Sequence, residues 1–452
     1  MTHTQSISRR RFLKGAAVSG AALSVPCVLT GRVRGADAPS NRVNVGQIGC
    51  GNISNYHIGY LRAMSDVRIV AVADAYKGRR EATAARLSQH YGGNGIVKAH
   101  ADFREILDRA DVDAVIVAAH DNWHMPMSVA ALKAGKDVYC QKPLGLDFGL
   151  TGVLRNVVHE KKRIFQFGTQ YRSMGRYRQM VQLVRNGYIG KLQRIELWSR
   201  DVSNDVGQYH GKPYGSSVEV PVPADLDFDA WQGPSPMVPY TVDRATCWGG
   251  YHCPETSLGF IAGCAIHELG LAQWGNKSDH TSPVRYAGTG SLPKEGIFRT
   301  LERWDVMCDY ANGVKLRFMD FRTAKPVAGQ YLRSWRPSDG LIFHGTEGWI
   351  SDAEGFCASN QSLWKVKFKP GDEQLPVSPE HNRNFIDCVK SRQETICPVE
   401  MGIRCDAICQ LANLAAITGR AIRWDPQEEK IVNDPEAAKM LIRPYREKWK
   451  VW

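Results

Sequence analysis

The chain has 452 residues, 43% of them hydrophobic and 23% charged, which is typical of a folded protein with two or three domains. Its formal charge is +12, but residues 1–35 hold six Lys or Arg and no Asp or Glu, so the rest of the chain carries only +6. Apart from Lys161-Lys162-Arg163 that remainder has no basic run, which argues against a nucleic-acid partner.

The first 38 residues have the features of an export signal. Ser8-Arg9-Arg10-Arg11-Phe12-Leu13-Lys14 has the twin-arginine pattern, and a weakly apolar run from Gly15 to Leu29 follows it. This run is too short and too rich in Ala, Gly and Ser for a stable membrane span. We therefore predict a signal peptide at residues 1–38, transport by the twin-arginine export machinery, and a periplasmic protein after cleavage.

A dinucleotide-binding motif follows the signal. A short apolar strand from Val43 to Ile48 leads into a glycine turn and a helix, the arrangement that places a pyrophosphate on the N–H groups of a helix start. A second strand ends in Asp74, which lies at the spacing of an acid that binds the adenosine ribose 2′-hydroxyl. The predicted cofactor contacts of this motif are Gly49, Gly51, Asn52, Ile53, Ser54 and Asp74.

Strands and helices alternate up to residue 167, which predicts an α/β Rossmann domain with a doubly wound parallel sheet over residues 39–167. The further strands are predicted at Val67–Ala73, Ala114–Ala118, Asp137–Cys140 and Arg163–Phe167. Gln141-Lys142-Pro143 then lies at the carboxyl end of a strand, on the edge where open parallel sheets bind ligands.

The pattern changes after Gly168, and we predict an α+β domain with an open, mostly antiparallel sheet over residues 168–452. Residues 201–250 are rich in Pro, Gly, Tyr and Trp, which indicates a long loop that shapes a pocket. Strands are predicted at Lys191–Arg200, Val284–Gly288, Trp304–Tyr310, Val314–Asp320, Leu341–Phe343 and Leu363–Lys367. Helices are predicted at Tyr177–Asn186, Asn382–Lys390 and Met401–Gly419.

Cysteine usage favours neither a disulfide framework nor a metal. Eleven cysteines remain after removal of the signal, an odd number without a Cys-x-x-Cys pair. One stretch is crowded with potential zinc ligands, but their spacing matches no usual zinc pattern, so no metal site is predicted. These residues are Cys247, His252, Cys253, Cys264 and His267.

The motifs together resemble the Gfo/Idh/MocA oxidoreductases, NAD(P)-dependent enzymes that act mostly on sugars, cyclitols and their derivatives. The resemblance covers essentially all of the mature chain and is nearest to the exported twin-arginine branch. It implies hydride transfer between a sugar-like hydroxyl and nicotinamide, and a homo-oligomer of two or four subunits. The matching segments are Gly49–Ser54, Asp74, Asp121–His124, Val138–Leu144, Gly168–Ser173 and Gly259–Trp274.

Two catalytic residues follow from the resemblance. The family's Glu-Lys-Pro motif reads Gln141-Lys142-Pro143 here, so Lys142 is expected to reach the nicotinamide ribose and the substrate hydroxyl. The family's Asp-x-x-x-His-x-x-Asp segment keeps its histidine, His267, which is the expected general base, but glycine stands at both aspartate positions, 263 and 270. Glu268 or backbone groups are then left to orient that histidine.

The resemblance also extends the cofactor and substrate sites. Asp74 favours NAD, although Lys77 and Arg79 leave NADP open. The further expected cofactor contacts are Asn122, Trp123, His124, Gln141, Lys142 and Pro143, with packing the alternative for Trp123 and His124. The expected substrate contacts are Gln170, Arg172, His252 and Glu268, with a carboxylate partner in the second domain the alternative for Arg172. In the long loop, Tyr209, His210, Trp248, Tyr251 and His252 have the mix of rings and polar tips that sugar pockets use.

Two other functions stay open. His267-Glu268-Leu269-Gly270 resembles the His-x-Leu-Gly segment of the NAD-dependent glycosidases of glycoside hydrolase family 109, which oxidise a sugar transiently, eliminate the aglycone, add water and reduce the sugar again. The third hypothesis is an exported sugar-binding protein whose redox chemistry has decayed, as the missing aspartates allow. Cofactor binding without turnover of any sugar distinguishes it from the two enzymes.

Overall fold

The computed structural model describes residues 41–201, 214–246, 249–335 and 338–452. The predicted signal peptide lies outside the described residues, and so do Tyr209, His210, Cys247 and Trp248. Residues Val43–Trp452 form one compact unit.

The first sheet is the predicted doubly wound parallel sheet, and this prediction is confirmed. Its six strands within the described residues pair in parallel in the order β3-β2-β1-β4-β5-β6. The central strand β4 is continuously apolar and fully buried, as expected for a parallel strand that is covered on both faces. The strands are β1 (Val43–Ile48), β2 (Val67–Ala73), β3 (Lys98–His100), β4 (Ala114–Val117), β5 (Asp137–Gln141) and β6 (Phe165–Gly168). The helices between them are α1 (Asn52–Leu61), α2 (Lys77–His90), α3 (Arg104–Leu107), α4 (Asp121–Lys133) and α5 (Gly149–Lys161).

The second sheet is open and mostly antiparallel, as predicted. Within the described residues its nine strands follow the order β13-β12-β11-β7-β10-β9-β8-β14-β15, and the pair β7 and β10 is parallel. The strands are β7 (Leu192–Ser199), β8 (Arg285–Ser291), β9 (Arg303–Asp309), β10 (Lys315–Asp320), β11 (Gly340–Gly345), β12 (Trp349–Ser351), β13 (Cys357–Ala358), β14 (Ile422–Asp425) and β15 (Lys430–Ile431). The helices of this half are α6 (Gly175–Arg185), α7 (Phe228–Gln232), α8 (Gly249–His252), α9 (Phe260–Gly263), α10 (Ile266–Gly275), α11 (Phe321–Ala328), α12 (His381–Ser391), α13 (Val399–Thr418) and α14 (Pro435–Lys439).

The strand predicted at Leu363–Lys367 is wrong. Gln361–Lys365 is a 3-10 helix whose start is capped by Asn360, because the Asn360 side chain accepts a hydrogen bond from the backbone N–H of Ser362. The apolar alternation of this segment serves instead to bury Trp364 against the core. A local cap therefore outweighs a strand-like pattern of only five residues.

Helix α12 comes from the second half of the chain but packs on the first sheet. Phe385 and Ile386 are fully buried in the same core as Val45 and Ile116 of that sheet. Arg392, just after the helix, pairs with Asp137 at the start of β5. The division at residue 168 stays a prediction, because the packing unit around the first sheet includes this later helix.

This packing yields a stability prediction. Replacing the fully buried ring of Phe385 (Phe385→Ala) should lower the free energy of unfolding by about 3–5 kcal/mol, because the cavity cannot fully collapse. Urea denaturation followed by tryptophan fluorescence measures the change. Val377→Ala, at a side chain 72% exposed, is the control and should stay within about 0.5 kcal/mol of the wild type. A loss below about 1 kcal/mol for Phe385→Ala would contradict this account of the core.

Candidate active site

A cavity of about 560 Å³ follows the carboxyl ends of the strands in the first sheet. The ends of β1 and β2 contribute Gly49 and Asp74, and the segment after β4 contributes Asp121. Lys142, just after β5, lines the other end together with Tyr251 from the second half of the chain. The cavity therefore lies at the edge where doubly wound sheets bind their ligands.

The glycine turn is shaped for a phosphate group. Gly49 has φ +91°, and a Cβ there would collide with the carbonyl oxygen of Ala118. A Cβ at Gly51 would meet nothing within 4 Å, and no side chain caps α1 at this residue. Asn52 and Ile53 line the cavity, whereas Ser54 is buried. An uncapped helix start that faces an open space fits the pyrophosphate of a dinucleotide.

Asp74 holds the turn in place from the end of β2. Its Oδ2 accepts a hydrogen bond from the Cys50 N–H at 2.7 Å, and its Oδ1 accepts one from the Tyr76 N–H at 2.7 Å. Burial raises the pKa of this carboxyl group, while the two N–H donors lower it. Each carboxylate oxygen keeps a further lone pair, so the residue can still accept from a ribose hydroxyl. Arg79 lines the same end, with its guanidinium 3.9 Å from the centre of the Tyr76 ring.

Gln141 belongs to a neutral hydrogen-bond network. Its side-chain N–H donates to Nε2 of His57 at 2.7 Å, and Nδ1 of His57 lies 2.6 Å from Oδ1 of Asn382. The histidine therefore carries its proton on Nδ1 and donates it to Asn382. Burial lowers the pKa of His57 to about 4, so the ring is neutral. The Oε1 of Gln141 accepts from the backbone N–H of Lys142 at 3.1 Å, which ties this network to the lysine.

Lys142 carries a partly buried ammonium. Its Nζ donates to the carbonyl oxygen of Gly263 at 2.5 Å and lies 3.4 Å from the hydroxyl of Tyr251. Burial lowers the pKa of Lys142, but Tyr251, Cys264 and Asp121 raise it more, so the net direction is upward. The nearby Asp121 accepts from the Ser257 hydroxyl at 2.6 Å, and burial raises its pKa to about 7 although Ser257 and Lys142 lower it.

The space beside Gly263 is occupied. A Cβ on Gly263 would lie 2.5 Å from Cε1 of Tyr251, so the tyrosine ring fills the position where a side chain would begin. A Cβ on Gly270 would lie 2.9 Å from the methyl end of Met401. The first of the two missing aspartates is thus replaced in space by Tyr251.

His267 and Glu268 do not line the cavity. The ring of His267 stacks on Tyr171 with a centroid distance of 4.8 Å, and its Nδ1 is buried without a hydrogen-bond partner in the described part of the chain. Burial and then the charge of Lys142 lower the pKa of His267 well below its usual value, so the ring is neutral. Burial and the carboxyl groups of Asp339 and Asp352 raise the pKa of Glu268 well above its usual value.

The other predicted substrate contacts have protein partners. Gln170 donates to the Tyr139 hydroxyl at 3.3 Å. Arg172 forms a bidentate pair with Asp279 at 2.9 and 2.6 Å, which is the alternative that the sequence left open. His252 is buried with Phe260 at a centroid distance of 4.8 Å. None of the three lines the cavity, so their substrate roles stay predictions.

The segment after β4 supports a covering loop. Asn122 donates to the carbonyl oxygen of Gln232 at 2.9 Å, and the indole N–H of Trp123 donates to that of Ala230 at 3.0 Å. His124 contacts the carbonyl oxygen of Pro143 at 2.6 Å through Nδ1. Trp123 and His124 line the cavity, whereas Asn122 and Pro143 do not.

We call residues 223–246, the loop that Asn122 and Trp123 contact, the strap. Its backbone pairs with the segment after Asp74: Lys77 N–H donates to Asp225 O at 2.8 Å, and Asp227 N–H donates to Ala75 O at 3.1 Å. Trp231 in the strap lines the cavity. The sequence predicted a pocket-shaping loop here but gave no sign of its partner, since these pairs join residues about 150 positions apart.

The C-terminal tail fastens the strap. Arg446 donates through Nε to the carbonyl oxygens of Gly233 at 2.9 Å and Ser235 at 3.0 Å. The indole N–H of Trp449 donates to Asp229 at 3.2 Å, and its ring lines the cavity. Strap and tail together form part of the cavity wall, through Ala230, Trp231, Thr246 and Trp449.

Family models match almost the whole described chain. The model "Oxidoreductase family, NAD-binding Rossmann fold" matches residues 43–169, and "Oxidoreductase family, C-terminal alpha/beta domain" matches residues 176–451. The chain belongs to the Gfo/Idh/MocA oxidoreductase family. Residues 6–26 match the twin-arginine translocation signal, which confirms the predicted export signal. The N-terminal half thus carries the NAD-binding Rossmann domain of the family.

Individual relatives in the family are inositol dehydrogenases and other dehydrogenases by name. The chain is similar to myo-inositol 2-dehydrogenase of Thermotoga maritima, with 32% identity over 161 residues, 35% of this chain and 46% of that protein. It spans about half the length of the curated relatives that it matches. The myo-inositol 2-dehydrogenase structure from Lactobacillus plantarum aligns with a TM-score of 0.57 at 19% identity, covering 84% of this chain and 99% of that chain. The WlbA dehydrogenase from Bordetella pertussis, in complex with NADH and UDP-GlcNAcA, aligns with a TM-score of 0.60 at 14% identity, covering 85% and 98%.

Metal ligands are not grouped in the described part of this family member: no three His, Cys, Asp or Glu residues there are arranged to hold a metal ion. Cys247 of the sequence-derived zinc hypothesis lies outside the described residues. None of the helices in the described ranges is both long and apolar enough to cross a membrane.

The neutral network around Gln141 predicts a pKa change. In Gln141→Glu a carboxylate faces Nε2 of His57, which should raise the pKa of His57 by about 1–3. In the folded protein His57 stays neutral down to about pH 4, whereas in the unfolded chain it takes a proton near pH 6.5. The wild type should therefore lose stability as the pH falls from about 6.5 towards 4, and Gln141→Glu should lose less.

NMR titration of ¹³C-labelled histidines measures this pKa, with the signal assigned through His57→Gln. The matched control is Gln141→Met, which has a similar length and no charge and should leave the pKa of His57 low. An unchanged pKa in Gln141→Glu would show that the carboxylate does not face this ring.

Proposed function

We propose that this chain is an exported NAD-dependent oxidoreductase that transfers hydride between a secondary hydroxyl of a cyclitol or sugar and nicotinamide. The observation that carries the proposal is the single cavity that joins the glycine turn and Asp74 at one end to Lys142 at the other. The names of the dehydrogenases to which the chain is similar favour a polyhydroxylated ring as substrate. After signal cleavage the protein would work in the periplasm, and the family resemblance favours a dimer or tetramer.

The cofactor would be held by the residues that line this cavity. Gly51, Asn52 and Ile53 would bind the pyrophosphate, and Asp74 would accept from the adenosine ribose and repel a 2′-phosphate. Trp123, His124 and Gln141 would line the remainder. When bound, NAD would supply the hydride acceptor and, once reduced, the hydride donor.

The substrate oxygen would meet the ammonium of Lys142. A cation beside a hydroxyl favours loss of the hydroxyl proton and orients the carbon that reacts. Two groups could exchange that proton: His267, by the family resemblance, and Tyr251, by its contact with Lys142. His267 is neutral and close enough to Lys142 for the ammonium to lower its pKa.

A redox-assisted glycosidase is the second candidate, and a specific observation favours it. Strap and tail form part of the cavity wall and are joined to each other by Arg446, Lys448 and Trp449. A cofactor retained behind this wall would suit a cycle that ends with the cofactor unchanged. The glycines at 263 and 270 are also compatible with this chemistry.

One experiment separates the two candidates. The mature protein is purified, part of it is denatured to quantify released NAD and NADP, and the native rest is mixed with inositols, free sugars and nitrophenyl glycosides. A lasting rise in reduced nicotinamide would establish a dehydrogenase, whereas nitrophenol release without net reduction would establish a glycosidase. Lys142→Met should lower either activity by about 100-fold or more while cofactor stays bound. Bound cofactor with no turnover of any substrate would favour the third hypothesis, a sugar-binding protein whose redox chemistry has decayed.

The wall that strap and tail form along the cavity predicts slow cofactor exchange. Asp229→Ala removes the carboxylate that accepts from Arg446, Lys448 and Trp449, so the tail should be held less tightly and NADH should dissociate about tenfold faster or more. Displacement of bound NADH by excess NAD, followed by nicotinamide fluorescence, measures the rate. Glu428→Ala, which removes an exposed ion pair with Lys430 outside the cavity, is the matched control and should leave the rate unchanged. Equal rates in Asp229→Ala and the wild type would exclude a fastening role for the tail.

A further inference from the structure

Tyr251 is in direct contact with the charged group of the candidate site. Its hydroxyl lies 3.4 Å from Nζ of Lys142, and the same Nζ lies 5.5 Å from the centre of its ring. Both residues line the cavity that the cofactor would occupy, together with Asp121 and Cys264. The hydroxyl therefore faces the place where a substrate oxygen would meet the lysine.

The position of the tyrosine ring is fixed by a glycine. Any side chain at residue 263 would collide with the ring, since even a Cβ would come within 2.5 Å of it. The carbonyl of Gly263 is also the closest partner of Lys142. Glycine at this position therefore holds both the tyrosine ring and the lysine in place. An aspartate here would displace the ring, so the site requires its absence.

The charges around the hydroxyl come from three elements. Burial raises the pKa of Tyr251 to about 12, and the ammonium of Lys142 lowers it. Asp121 at the start of α4 and Cys264 after α9 both raise it. At neutral pH the hydroxyl is protonated, so it can donate to a substrate oxygen.

We propose that Tyr251 is a further catalytic residue, which exchanges the proton of the substrate oxygen while Lys142 stabilises the negative charge on the tyrosine. The proposal rests on the proposed function. In reduction, the carbonyl carbon gains hydride from reduced nicotinamide, the O–H bond of Tyr251 breaks, and its proton joins the carbonyl oxygen. In oxidation, the alcohol carbon loses hydride to the nicotinamide, and its O–H proton passes to the ionised Tyr251 oxygen.

The pH dependence separates Tyr251 from His267. A tyrosine donor stays protonated through neutral pH, so the rate of ketone reduction should be constant there and fall only in alkali. Oxidation needs the ionised tyrosine, so its rate should rise with pH. A donor with the low pKa of His267 would lose its proton below neutral pH, and the reduction rate would already fall across that range.

Two variants test the role in turnover. Tyr251→Phe keeps the ring and should lower kcat for reduction by about 100-fold or more, while the Kd for NADH, measured by fluorescence, stays the same. His267→Asn should lower kcat less and leave the pH profile of the remaining activity unchanged. Loss of less than about tenfold in Tyr251→Phe, or a pH profile that depends on His267, would overturn the proposal.

A third variant tests whether Gly263 fixes the position of the Tyr251 ring. Gly263→Ala should displace the tyrosine and lower kcat like Tyr251→Phe. Its matched control is Gly152→Ala in α5, where a Cβ would meet nothing within 4 Å, and that variant should keep full activity. Full activity in Gly263→Ala would show that the position of the Tyr251 ring does not require glycine at 263.

A spectroscopic measurement tests the pair without cofactor or turnover. The protein is labelled with 3-fluorotyrosine, whose phenol ionises in an accessible pH range, and the ¹⁹F signal of residue 251 is assigned through Tyr251→Phe. Lys142→Met should raise the pKa of this phenol by about 1 or more, because it removes the ammonium. An unchanged pKa would overturn the pairing. If the wild type turns over no substrate, the proposed function fails, yet this titration still decides whether Lys142 and Tyr251 are coupled.

Discussion

The candidate site depends on the partly buried ammonium of Lys142. Moving a charge partly out of water costs free energy unless hydrogen bonds and opposite charges replace the lost water. Here the replacement is the carbonyl of Gly263, with Tyr251 and Asp121 close by. Because the lysine follows β5 and the glycine ends α9, this contact also joins the first sheet to the second half of the chain.

The same ammonium explains residues that depart from the family pattern. Glycine at 263 offers its carbonyl to the lysine and leaves room for the ring of Tyr251. Glutamine at 141 keeps the neighbouring network with His57 neutral, so it brings no second charge next to the lysine. Glycine at 263 therefore supports the ammonium directly, whereas glutamine at 141 leaves the ammonium without a second carboxylate beside it.

The first sheet and its glycine turn could be predicted from the sequence because their signals are local. Apolar runs, glycine spacing and the acid after β2 lie within short segments. The partners of Asn122 and Trp123 could not be predicted, since Asn122 binds a carbonyl 110 residues later and only the folded chain brings the two together. The wrong prediction of a strand at Leu363–Lys367 has a different cause, because here both signals are local. The segment has a strand-like apolar alternation, but the Asn360 cap starts a 3-10 helix in the same place. Tyr251 was visible only as one aromatic in a sugar-pocket loop, and its contact with Lys142 needed the structure.

The central claim is that one cavity binds the cofactor with its reactive end at Lys142 and Tyr251. A crystal structure of the mature protein with NAD tests it most directly. The account predicts the pyrophosphate at the start of α1, the adenosine ribose at Asp74, and the nicotinamide end beside Lys142 and Tyr251. A nicotinamide end turned away from Lys142, or a dinucleotide bound outside this cavity, would contradict it.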